Sequence, residues 1–166
     1  MIGELHNNKV IISDNPSISK LYGKRSYGTL IDKKLYLTPL EAYYLCEKEK
    51  LELSSEGNPI NCHDLIALNV VGKDFDEKYP VYKDLRDRGY IVKTGFKYGC
   101  HFRVYRKSIE EHADYLVHSY VEHGTISVDD IIKQARLAHS VKKKMVMALV
   151  DEENDITYFS VDRTKI

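Results

Sequence analysis

The chain has 166 residues, enough for one generous domain or two small ones. Its 25 basic and 25 acidic side chains cancel to a net charge of zero, which excludes a uniformly basic nucleic-acid coat but not a local basic patch. Hydrophobic residues at 43% and charged residues at 30% describe a globular chain, and no stretch approaches the roughly 18 apolar residues of a membrane span. The opening MIGELHNNKVIISDN has no apolar core of a secretory signal. Cys46, Cys62 and Cys100 are widely spaced with no CxxC, so neither a zinc knuckle nor a disulfide framework is expected. A cytoplasmic location follows as an expectation.

The elements read in chain order as α+β. LHNNKVIIS carries a strand at Val10, Ile11 and Ile12, and SYGTLIDKKLYLTP reads as two short strands around Asp32-Lys33-Lys34. Thr38-Pro39-Leu40-Glu41 is a helix start, with Thr as N-cap, Pro at the first helical position and Glu three residues after the Thr. The helix runs on through EAYYLCEKEK, with Leu40, Tyr43, Tyr44 and Leu51 on one face, and the turn-rich SSEGNP ends it. A further short helix is expected from near Asn61. The domain boundary is placed in GKDFDEKYP, giving domains at 1–78 and 79–166.

Beyond it, PVYKDLRDRG reads as a helix with Pro80 near its start and Gly89 as its left-handed stop. YIVKTG is a strand. CHFRVY alternates, with Cys100, Phe102 and Val104 on one face and His101, Arg103 and Tyr105 on the other. ADYLVHSYVE is another strand, Ser127-Val128-Asp129-Asp130 caps a helix through IIKQARLAHSV, MVMALV is a buried strand, DEEND an acidic turn and ITYFSVD a final strand.

The zero net charge hides an asymmetry. Between Lys83 and Lys107 eight basic side chains face only Asp84 and Asp87, and Arg136, Lys142, Lys143 and Lys144 lie in a stretch, 131–150, without an acid. Two basic clusters in one half are a candidate anion site, although surface charge runs are commonly just solvated faces.

No GxxxxGK, GxGxxG or GxSxG occurs, which removes the common phosphate loop and hydrolase elbow. None of the seven histidines forms an HxH or HExxH pair, and His101 with His112 are too few for a metal centre, so no metal and no cofactor are expected. Asp32-Lys33-Lys34 and Asp76-Glu77-Lys78 match the acid-x-Lys of metal-dependent nucleases in letters alone. What remains is an acid–base set of Tyr105, His112 and Lys143, each with an ordinary structural alternative: a packing tyrosine, a structural histidine, a solvated lysine.

DLRDRGYIVKTGFKYGCHFRVY (84–105), EEHADYLV (110–117) and RLAHSVKKKMVMALVD (136–151) resemble the archaeal tRNA-intron splicing endonucleases, and YLTPLEAYYLCEKEKLEL (36–53) resembles their N-terminal domain. The resemblance implies a small N-terminal α/β domain and a C-terminal nuclease-like domain with a mixed sheet flanked by helices. It implies catalytic roles for Tyr105, His112 and Lys143, with Lys142 and Lys144 as alternatives one position away. It carries RNA-gripping arginines onto Arg136 and Arg163. One departure is Cys100-His101, where many members carry a small residue and an Asp.

The implied activity is metal-independent excision of introns from precursor tRNA at bulge–helix–bulge motifs, leaving 2′,3′-cyclic phosphate and 5′-hydroxyl ends. DNA, lacking the attacking 2′-hydroxyl, is not a substrate, and no membrane partner is implied. The implied assembly is a homotetramer in which the acidic loop carrying Asp151, Glu152, Glu153 and Asp155 inserts into a neighbouring subunit. The rival from another class is a non-catalytic RNA-binding or structural subunit.

Overall fold

A computed structural model describes residues 1–164 and 166. The chain divides into two units, Met1–Phe75 and Asp76–Ile166.

The first unit is built on tight turns. Strands β1 (Ile2–His6) and β2 (Lys9–Ile12) form a hairpin through Asn7, whose φ is 52°. Strands β3 (Thr29–Ile31) and β4 (Lys34–Leu37) are joined by Asp32 and Lys33, both at positive φ, the backbone geometry that matches strand twist in a two-residue hairpin. The same device at Glu56-Gly57 joins β5 (Glu52–Ser55) to β6 (Asn58–Ile60). The sheet order is β3-β4-β2-β1-β5-β6, antiparallel except for the parallel pair β1 and β5.

Two readings of the sequence are corrected here. The N-terminal strand is a hairpin, because Gly3 lets β1 approach β2 closely: a Cβ there would lie 2.5 Å from Val10 Cγ1. The SSEGNP segment is the centre of a third hairpin, and its Pro59 is tolerated because β6 is an edge strand.

Short helix α1 (Asn15–Ile18), capped by Asp14, continues into a π-helical turn over Ser19–Gly23. Helix α2 (Pro39–Glu47) begins as expected, with a complete capping box between Thr38 and Glu41. Glu41 is buried and its carboxylate is fully used. Oε1 accepts from Gly28 N at 2.9 Å, and Oε2 from Thr38 N at 2.9 Å and Thr38 Oγ1 at 3.0 Å. One carboxylate thus ties the helix start to the turn before β3. The helix ends earlier than expected, and Leu51 is buried beyond its end. Helix α3 (Asp64–Ala67) follows.

Helix α4 (Phe75–Asp87) starts five residues before Pro80 and from Asp76 on belongs to the second unit. Asp76 and Glu77 in the first turn complement the helix dipole, and Pro80 is accommodated inside. The end is a Schellman motif: Tyr90 N donates to Leu85 O, Gly89 N to Arg86 O, and Gly89 has a φ of 90°.

Strands β7 (Ile91–Thr94), β8 (Phe102–Tyr105), β9 (Tyr115–Val121), β10 (Lys144–Val150) and β11 (Ile156–Val161) form a sheet in the order β11-β10-β9-β8-β7. Only β9 and β10 are parallel, and α5 (Val128–Ser140), capped by Ser127, makes the crossover between them. Cys100, Leu116, Ala138 and Met145 pack together, which seats α5 on the sheet. Tyr158 donates to Asp84 Oδ2 at 2.7 Å, joining β11 to α4.

Thr38→Ala removes the cap of α2 and one donor to Glu41. Urea unfolding followed by circular dichroism is expected to show a loss of about 1 kcal/mol in the transition of the first unit.

Candidate active site

Register, not sequence proximity, assembles the candidate site. In the antiparallel pair, Val104 lies opposite Tyr115; in the parallel pair, Lys144 lies opposite Tyr115. The C-terminal end of β8 and the N-terminal ends of β9 and β10 therefore lie side by side. Neighbouring strands are about 4.8 Å apart, so β8 and β10 are separated by about 10 Å here.

Tyr105 is the last residue of β8 and is buried. Lys143 immediately precedes β10. His112 is exposed in the connection from β8 to β9.

The neck of that connection is closed. Asp114 N donates to Val104 O at 2.9 Å, and Arg106 N donates to Asp114 Oδ2 at 3.0 Å. Arg106 also covers the Tyr115 ring at 5.3 Å and donates to its hydroxyl.

The three consecutive lysines are not equivalent. Lys142 is exposed at a positive φ of 55°, terminating α5, and Lys144 is exposed as the first residue of β10. Lys143 is half-buried, and its Nζ donates to Ala113 O at 3.2 Å. That bond fixes the ammonium beside the residue that follows His112. Tyr105, His112 and Lys143 thus converge on one end of the sheet, from two strand ends and one loop.

The arginines are placed differently. Arg136 is exposed on the last turns of α5, seven residues before Lys143. Arg163 is exposed just beyond β11.

The acidic loop is a tight hairpin between β10 and β11, and its carboxylates do different work. Asp151 Oδ1 accepts from Glu153 N at 2.9 Å and Asp155 N at 2.8 Å, so it builds the turn. Glu152 meets His123 at 3.1 Å in an exposed pair. Glu153 and Asp155 are exposed.

A second group of chemistry-bearing side chains escaped the sequence reading, which judged the histidines too scattered. Glu77, His101 and His118 each bring one ligand-type atom within 4.8 Å of the others. The signal is faint in sequence, because α4, the lead-in to β8 and the middle of β9 supply one residue each. His112 is not among them.

His118 is held below the ordinary histidine value, first by burial and then by the nearby Lys78 charge. Cys100 is packed in the core, and burial pushes its thiol up to about 11, so it is a packing residue rather than a nucleophile.

Comparison with known proteins decides the family. The model of the tRNA intron endonuclease catalytic C-terminal domain matches residues 75–158, and that of the N-terminal domain matches residues 1–66. The chain belongs to the tRNA intron endonuclease family. It is 44% identical over 162 residues to the tRNA-splicing endonuclease of Thermococcus kodakarensis, covering 97% of this chain and 96% of that protein. The tRNA-splicing endonuclease of Pyrococcus furiosus is 44% identical over 162 residues, covering 97% and 95%. That of Methanothermobacter thermautotrophicus is 41% identical over 163 residues, covering 96% and 95%. Among the described residues, no helix is long and apolar enough to cross a membrane.

Proposed function

We propose that this chain is an endonuclease that excises introns from precursor tRNA at bulge–helix–bulge motifs, by metal-independent transesterification. The observation that carries the residue assignment is the bond from Lys143 Nζ to Ala113 O, at the strand end where Tyr105 and the His112 loop converge. Family membership carries the substrate class.

The reaction needs a base at the 2′-oxygen, an acid at the departing 5′-oxygen and a cation at the charged phosphorane. Tyr105 takes the 2′-hydroxyl proton as the oxygen attacks its own phosphorus. His112 gives a proton to the leaving 5′-oxygen as general acid. The bond from phosphorus to the 2′-oxygen forms and the bond to the 5′-oxygen breaks, leaving a 2′,3′-cyclic phosphate and a 5′-hydroxyl. Lys143 stabilises the negative charge that builds between these two events. Its anchored ammonium needs little reorganisation to do so, which favours Lys143 over its exposed neighbours Lys142 and Lys144.

RNA rather than DNA follows from the chemistry, since the nucleophile is the 2′-hydroxyl. Arg136 and Arg163 are exposed cations suited to gripping unstacked bulge bases or their phosphates.

The assembly belongs to the same proposal. A homotetramer forms when the acidic loop of one subunit enters a basic groove of another. Glu152, Glu153 and Asp155 present the charge, while Asp151 holds the hairpin in shape.

Two experiments test this reading. On a bulge–helix–bulge RNA in excess EDTA, the unmodified protein is expected to cut, and Tyr105→Phe, His112→Ala and Lys143→Ala are each expected to cut at least 100-fold more slowly. Lys142→Ala is expected to stay within a few-fold of the unmodified rate. Full activity in all three site variants ends the catalytic assignment, and a chain that never cuts alone is a binding subunit. For the assembly, the triple variant Glu152→Gln, Glu153→Gln, Asp155→Asn is expected to convert tetramer to dimer by light scattering. An unchanged mass removes the loop from the interface.

A further inference from the structure

The cluster of Glu77, His101 and His118 lies outside the candidate active site. His101 precedes Tyr105 by four residues and His118 follows Tyr115 by three. At about 3.3 Å per strand residue, the cluster is roughly 10–13 Å along the strands from the catalytic end.

Its parts come from three elements. Glu77 sits in the first turn of α4. His101 leads into β8, its N–H donating to Val117 O at 3.1 Å, so it lies across from His118 on β9. Their rings stack at 3.9 Å with an interplanar angle of 28°.

Three observations make this more than a packed pair of rings. The donor set, two imidazoles and a carboxylate with ligand atoms within 4.8 Å of one another, is one that zinc-class cations take. His118 Nδ1 is buried with no hydrogen-bond partner. A polar nitrogen left that way is destabilising, so its presence calls for a reason.

His101, finally, is already braced from behind. Its Nδ1 lies 2.6 Å from Oγ of the fully buried Ser119. That is the kind of outer-shell contact that orients a ligating imidazole.

We propose that Glu77, His101 and His118 form a zinc-class divalent metal site that fastens the start of α4 to the β8–β9 strand pair and takes no part in RNA cleavage.

Binding makes specific demands on the site. Zinc–nitrogen bonds of about 2.0–2.1 Å bring tetrahedral donors to about 3.4 Å apart, so the three atoms close in by an ångström or so. The stacked rings cannot both point edge-on at one ion, so the pair opens as one imidazole turns about its side-chain torsions. Nδ1 of His101 then donates its proton to Ser119 Oγ and gives up the 3.2 Å contact from Ser119 N.

The field at His118 is mixed, Lys78 opposing positive charge and Asp130 favouring it. Of the three side chains, His118 lines a cleft of about 350 Å³ with Tyr120, Asp130, Lys133 and Gln134, the side from which an ion would approach.

The test is metal binding by the whole chain, independent of its activity on RNA. Protein stripped with chelator and desalted is titrated with Co²⁺ as a spectroscopic probe and with Zn²⁺ in competition. One Co²⁺ per chain is expected, with the intense visible absorption of a tetrahedral site, and Zn²⁺ displaces it and raises the melting temperature.

His118→Phe, which keeps a flat ring, and Glu77→Gln are each expected to weaken affinity at least tenfold, while His139→Ala leaves it unchanged. Absence of saturable binding, or binding indifferent to both site variants, overturns the proposal. Should a variant fail to fold, a zinc-soaked crystal of the unmodified protein decides. An anomalous peak between the three side chains supports the site; a peak elsewhere, or none, refutes it.

Discussion

The parallel pairing of β9 with β10 is the constraint from which the second unit takes its form. Seven consecutive residue pairs, Tyr115↔Lys144 through Val150↔Val121, fix where the chain re-enters the sheet after α5. A parallel neighbour cannot be reached by a tight turn, so the connection carries a helix, and that helix is seated by Leu116, Ala138, Met145 and Cys100. A one-residue slip of β10 would turn Met145 and Met147 out of the core and move Lys143 off Ala113. Core packing and the position of the ammonium are therefore one problem with one solution.

This coupling holds a flexible, ordinarily exposed side-chain type in one place. Lysine has a long side chain and ordinarily loses entropy when held. Lys143 is held because its backbone sits at the junction of a helix end and a strand start, both specified by packing, and because Ala113 O lies within reach. Its two neighbours share its charge but not its anchor. The same economy appears in the acidic hairpin, where Asp151 shapes the loop and leaves the remaining carboxylates to face outward. In the middle of β9, His118 with its buried, unpartnered nitrogen breaks the pattern of satisfied polar groups, and it is one member of the cluster on which the proposed metal site rests.

Local chemistry was legible where one short stretch contains its own explanation. The Thr38–Glu41 capping box, the Asp32-Lys33 hairpin, the Gly89 helix stop and the Ser127 cap were all readable, because the partners lie within a few residues. The alternation of β8 was readable for the same reason. The misreadings were equally physical. Pro59 and Pro80 discouraged a strand and an earlier helix start, but an edge strand tolerates one proline and a helix favoured by Asp76 and Glu77 tolerates the other. Strand β1 was missed because Gly3 weakens its propensity, and the reason for that glycine is a close approach to Val10.

By itself, the sequence determined the α+β class, the element order of the second half, the absence of the common phosphate loop and hydrolase elbow, and the residue types available for acid–base work. It also carried the family resemblance that the domain matches bear out. Tertiary structure decided which of these residues meet. Strand register set Tyr105 and Lys143 at one end of the sheet, burial separated Lys143 from its neighbours, and the convergence of α4, β8 and β9 brought Glu77 to His101 and His118. Such meetings depend on contacts between residues tens of positions apart. No local spacing encodes them; they exist only once the core has chosen its packing.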